Sequence, residues 1–143
     1  MGLLTDFIIA DESEARYVTS LEGKHFDKYP TLQYKNVDIV KLAALHQIIE
    51  PEAEVYGIGD ADWLGDPDGD GPMICRIPER LRDAIARLSL SKVRDMAEAW
   101  SQTDEMKFDR WSAGDCREVL SGLCRFCGKA RTLKKPVLLW ICL

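Results

Sequence analysis

The sequence has no apolar stretch approaching the roughly 18 residues that a membrane-spanning helix requires. Its longest unbroken run, Val137 to Leu143, falls far short of that. Positive charge is also in deficit: 19 Lys and Arg stand against 24 Asp and Glu, giving a net charge of −5. Binding along a nucleic-acid backbone needs a surplus of cations, so neither a nucleic-acid nor a membrane partner is expected. Histidine is scarce, with His25 and His46 alone. No H-E-x-x-H pattern, nucleophile elbow or phosphate-binding glycine loop occurs, so no catalytic residue is assigned. Internal repeats, low-complexity tracts and linkers are missing. The first residues, Met1-Gly2-Leu3-Leu4-Thr5-Asp6, lack the basic region and small-residue cleavage site of a secretory leader, and they depart from the myristoylation pattern. With an odd number of cysteines, five, the expectation is free thiols in the reducing cytoplasm.

What remains is the composition of an ordinary folded chain: 143 residues, 46% hydrophobic and 30% charged. That size suits a single globular domain, 1–143, with a core large enough to need no metal or disulfide. Leu3 to Ile9 is short, apolar and rich in β-formers, and reads as a strand covered on both sides. Asp6 is the odd residue within it; a solvent-facing strand end is the expected place for such a carboxylate. Asp11 with Glu14 predicts a helix carrying Ala15, Val18 and Leu21 inward and stopping near Gly23. His25 to Tyr34, with Pro30 and three aromatics, reads as an ordered loop.

Asn36 or Asp38 is expected to cap a helix with Ile39, Leu42, Ala43, His46 and Ile49 inward, the stripe broadened by Val40, Ala44 and Ile48. Pro51 ends it. Val55 to Ile58 and Met73 to Ile77 read as brief strands, separated by a loop over Asp60 to Pro72. Pro78 opens a helix with Leu81, Ile85 and Leu88 inward. Another helix follows Ser89 to Ser91, burying Val93, Met96, Ala97 and Trp100. Ser112 and Asp115 form a capping-box pattern ahead of a stripe of Cys116, Val119, Leu120, Leu123 and Cys127. The closing run from Val137 reads as a buried, central strand. These elements do not alternate strictly as strand and helix, so the expected fold is α+β: about five helices packed on a small sheet whose N-terminal and C-terminal strands are neighbours.

Three segments carry possible chemistry. From Glu50 to Asp70 there are eight acidic residues and no Lys or Arg. Within it Asp66, Asp68 and Asp70 alternate and Gly71 follows, as at the start of an EF-hand calcium loop, where alternate carboxylates wrap oxygen ligands round the ion. The EF-hand pattern then requires Glu at its twelfth position, where Ile77 stands, and Pro72 occupies the seventh. The plainer reading is a solvated turn of Asp, Gly and Pro. Trp63, beside Asp60 and Asp62, would suit a protein-binding surface or anchor the loop.

Cys124 and Cys127 have C-x-x-C spacing, but a structural zinc site needs four ligands and no second pair exists. Burial as small apolar residues is the simpler account. Arg125 to Lys135 holds five basic residues and no acidic one, which suits the negative end of a helix. Together with the acidic segment, it gives the chain two opposite poles.

The expected function is therefore a small, acidic, cytoplasmic, non-enzymatic domain that binds another protein, with Asp60, Asp62 and Trp63 as the candidate surface and no cofactor. One alternative is a divalent-cation-binding protein or metal-dependent hydrolase using the Asp-rich loop 60–70, with Asp66, Asp68 and Asp70 as ligands. A second is a zinc or redox protein acting through Cys116, Cys124 and Cys127.

Overall fold

The computed structural model describes residues 2–15, 18, 27–54, 62–64 and 72–142, with Asp62 described by its backbone alone. Among these residues the chain is α+β, with five α-helices on a five-stranded antiparallel sheet. In chain order they are β1 (Leu4–Ile9), a 3-10 turn (Glu12–Glu14), β2 (Thr31–Lys35), α1 (Ile39–Ile49), β3 (Asp62–Leu64), β4 (Met73–Arg76), α2 (Glu79–Ala86), α3 (Leu90–Ser101), α4 (Asp104–Phe108), α5 (Ala113–Leu133) and β5 (Val137–Cys142).

The strand order is β2-β1-β5-β4-β3, so the last strand lies at the centre beside the first. β5 is an unbroken apolar run and β1 is apolar but for Thr5 and Asp6, because each must be covered on two faces. On one face Phe7, Ile9, Cys75, Leu139 and Ile141 pack against the helices, with Leu81, Trp100, Leu120 and Leu123 in the same core. On the other face Ile8, Ile74, Leu138 and Trp140 form a smaller cluster with Ala15, Val18 and Tyr29.

The helices follow local signals. Asp38 caps α1 through its side chain, which accepts from the Lys41 N–H at 3.0 Å. Ser89 does the same for α3. Ser112 and Asp115 form the reciprocal capping box of α5, whose 21 residues span about 31 Å. Its inner stripe includes Cys116, Val119, Leu120, Leu123 and Cys127, all buried.

Several expectations are corrected. Thr31–Lys35 is a strand rather than part of a loop: it pairs along β1, and Leu32 and Tyr34 turn toward the main core. Asp62–Leu64 is likewise a strand, placed by pairing Trp63 with Cys75 and Leu64 with Ile74. Asp6 is not at an exposed end. It is 4% exposed, lies opposite Trp140, and accepts from Gln33 Nε2 at 3.3 Å. In α1 the inward face takes Lys41 and Leu45 and leaves Val40 partly exposed. Lys41 tolerates burial because Asp109 meets its ammonium from a distant turn. The short helix α4 had no counterpart in the sequence reading. Leu21, Gly23, His25 and the Val55 to Ile58 segment lie outside the described residues.

Candidate functional site

Two surface clefts are built around helix ends of the same design. The first, about 360 Å³, is lined by Lys35, Asn36, Asp109, Arg110, Trp111, Asp115 and Glu118. It forms where β2 ends, α4 ends and α5 begins. Helix α4 is held by the buried Met106. It closes with the Arg110 N–H donating to Lys107 O at 3.0 Å and the Trp111 N–H donating to Met106 O at 2.9 Å. That pair of bonds is a Schellman closure, whose penultimate donor must adopt a left-handed backbone. Arg110 does so, with φ 60°. Trp111 is thereby turned in against the main core, half-buried.

Lys41 fixes the same turn from beneath. Its Nζ stands 2.5 Å from Asp109 Oδ2 and 3.4 Å from Asp38 Oδ2, and the residue is 4% exposed. A buried ammonium flanked by two carboxylates ties α1 to the turn after α4. Trp100 Nε1 donates to the carbonyl of Lys41 at 3.0 Å, locking α3 into the arrangement. Phe108 stays out of this packing at 87% exposure. The guanidinium of Arg110 carries no ion pair among the described residues. Asn36, also left-handed at φ 60°, accepts from the Leu3 N–H at 2.8 Å and so closes the cleft's far wall.

The second cleft, about 300 Å³, is lined by Asp11, Glu12, Arg76, Ile77, Glu79, Arg82, Lys134 and Pro136. It lies beyond the ends of β1 and β4, where α5 gives way to β5. Helix α5 closes by the same Schellman pattern. The Lys134 N–H donates to Arg131 O at 3.1 Å and the Lys135 N–H to Ala130 O at 3.0 Å, with Lys134 at φ 56°. Asn36, Arg110 and Lys134 are the described non-glycine residues at positive φ, and each lines one of these two clefts.

A further polar group joins α1 to α2. His46 Nε2 lies 2.8 Å from Glu50 Oε1, and Arg80 Nε approaches the same oxygen at 3.3 Å. The hydrogen bond from His46 holds the Glu50 carboxyl below its usual range. Burial acts oppositely on the α5 thiols, raising Cys124 and pushing Cys116 up to about 11 and Cys127 to about 12.

The structure separates the residues singled out by sequence. Trp63 is half-buried in β3 opposite Cys75 and packs on the main core. Asp62 contributes backbone to the same strand. Asp60, Asp66, Asp68 and Asp70 lie outside the described residues. Cys116 and Cys127 are buried and Cys124 half-buried, its Sγ directed to Leu88 O at 3.5 Å. Among the described residues no group of three or more His, Cys, Asp and Glu side chains could hold a metal ion. No described helix is long and apolar enough to cross a membrane. Phe108, Arg110 and Trp111 went unnoticed in the sequence. The one local signal was an aromatic-rich stretch, Phe108-Asp109-Arg110-Trp111, just ahead of a capping box.

No protein-family model and no curated protein matches the sequence. Among solved structures, the chain is similar to the crystal structure of a protein of unknown function, YfbM from Escherichia coli. The identity is 13%, over 98% of this chain and 99% of that one, with a TM-score of 0.46.

Proposed function

We propose that the chain is a non-enzymatic domain that binds another protein in the reducing cytoplasm, through a surface centred on Phe108, Arg110 and Trp111. The observation that carries this reading is the near-complete exposure of Phe108, 87%, two residues from an arginine with no ion-pair partner among the described residues. Aromatic side chains and arginine supply most of the energy at protein interfaces. A scattered exposed leucine such as Leu90 is ordinary on any surface. An almost fully solvated phenylalanine beside a half-buried tryptophan is less so.

Lys41 and Asp109 hold the turn beneath this surface in place, which lowers the entropy lost on binding. The acidic stretch from Glu50 to Asp70, with Asp60, Asp62 and Trp63, supports the same reading as a second region that would steer a basic partner. Five cysteines, none of them in a disulfide, support a reducing compartment.

The test uses immobilised protein exposed to extract from its own source, comparing three forms. Proteins retained by the native chain and by the Leu90→Ser control, and lost with Phe108→Ser/Arg110→Ser, are the expected outcome. The same retained set on all three forms would remove this surface from consideration.

A further inference from the structure

The second cleft has a different chemistry. Six of its eight lining residues are charged, three of each sign, and each lining acid has an ion-pair partner. Glu12 pairs with Arg76, Glu79 with Arg82 at 3.2 Å, and Asp11 with Lys135 at 3.6 Å. Lys134 alone among the lining cations has no such partner among the described residues. Among these residues it is the one lining cation left without a carboxylate of its own, while Arg82 is shared between Glu79 and Asp83 at 3.2 and 2.9 Å.

Arg82 supplies a second fixed donor. The residue is 8% exposed, and three acceptors hold its guanidinium. Nε donates to Asp83 Oδ1 at 3.0 Å, Nη1 to Lys135 O at 2.9 Å and Nη2 to Glu79 Oε1 at 3.2 Å. The second hydrogen on Nη1 is taken by none of them. A buried, oriented guanidinium with one donor in reserve is preorganised for an oxygen acceptor.

The backbone makes the same point about Lys134. The left-handed residue of a Schellman closure is usually glycine, because a side chain there is strained. A lysine at this position carries strain that glycine would avoid, and in return places an ammonium at the mouth of the cleft.

We propose that this cleft binds a small molecule through a terminal oxyanion, a carboxylate or a phosphate, held between the Lys134 ammonium and the spare donor of Arg82. Its volume, about 300 Å³, sits at the lower end of small-molecule sites, so the ligand is metabolite-sized.

The test is a chemical-shift titration of the whole chain with sodium phosphate and, separately, sodium acetate, each against sodium chloride at equal ionic strength. The expected result is a saturable change confined to residues 76–82 and 134–136 with at least one of the two anions. Whichever anion binds more tightly identifies the headgroup. Lys134→Gly should weaken that binding at least tenfold while leaving the rest of the spectrum and the unfolding midpoint intact or improved, and Lys134→Arg should retain it. The proposal is overturned if neither anion saturates, if chloride gives the same shifts, if the shifts spread to Arg125 and Lys129, or if Lys134→Gly binds as before.

Discussion

The hydroxyl of Tyr34 occupies the space that a Cβ at Gly122 would need. Any side chain there would overlap Tyr34 Oη, while the next ring atom, Cζ, would stand at an ordinary 3.5 Å. Tyr34 reaches across from the edge strand β2 and donates to Val119 O at 3.3 Å, so strand and helix are keyed by this one approach.

Gly122→Ala should therefore destabilise the fold in the native background, by roughly 1 kcal/mol, as overpacking outweighs the gain in helix propensity. In a Tyr34→Phe background the obstructing oxygen is gone. The same substitution should then be neutral, or stabilising by up to about 1 kcal/mol. Urea unfolding of the four forms measures both steps. The change of sign between backgrounds is what identifies the cause.

Lys134→Gly relieves a strained left-handed residue but also frees the unfolded chain, so the net stabilisation should be about 0.5–1 kcal/mol. At this chain length that is a rise of about 2 °C in the melting midpoint, readable by calorimetry. Lys134→Val, with a β-branched side chain in the same backbone, should lower it.

The hydrogen bond from His46 depresses the Glu50 carboxyl from its ordinary 4.5. A carboxyl with a lowered folded-state value contributes stability that is present above 4.5. That stability is lost as pH falls through the lower folded value. The difference in unfolding free energy between the native chain and Glu50→Gln should shrink as pH falls from about 4.5 toward about 3. Equilibrium unfolding across that range checks it.

The α5 thiols behave in the opposite sense. Cys116 and Cys127, held up to about 11 and 12 from 9.0, stay protonated in the fold where an unfolded thiol would ionise. Stability should accordingly decline as pH rises above 9. At pH 8 in native protein, iodoacetamide should label Cys116 and Cys127 far more slowly than in denaturant, as peptide mass spectrometry would show.

Much of the fold was legible because local pattern and tertiary role agreed. Apart from Thr5 and Asp6, the runs at Leu4–Ile9 and Val137–Cys142 are apolar on both faces, which only a doubly covered strand tolerates, and they pair with each other inside the sheet. The Ser112–Asp115 box and the cysteine-containing stripe behind it specify α5 without reference to anything distant. The edge strand β2 was hidden because five residues with a polar outer face carry a weak signal, and because Pro30 just before it suggests a loop. Lys41 and Asp6 were misplaced for one reason: burial of a charge depends on a partner far along the chain. Asp109 lies 68 residues from Lys41, and Gln33 lies 27 from Asp6.

The candidate surface was less legible still. Phe108, Arg110 and Trp111 owe their display to the left-handed turn after α4 and to the salt bridge beneath it, and neither is written in hydrophobic spacing.

The central claim is best tested by placing a photo-crosslinking phenylalanine analogue at position 108 in the living source cell, with the same analogue at the equally solvated position 90 as control. Position 108 should give a discrete adduct with another protein that is missing from position 90. No adduct from position 108, or the same adducts from both positions, would contradict a protein-binding surface at Phe108.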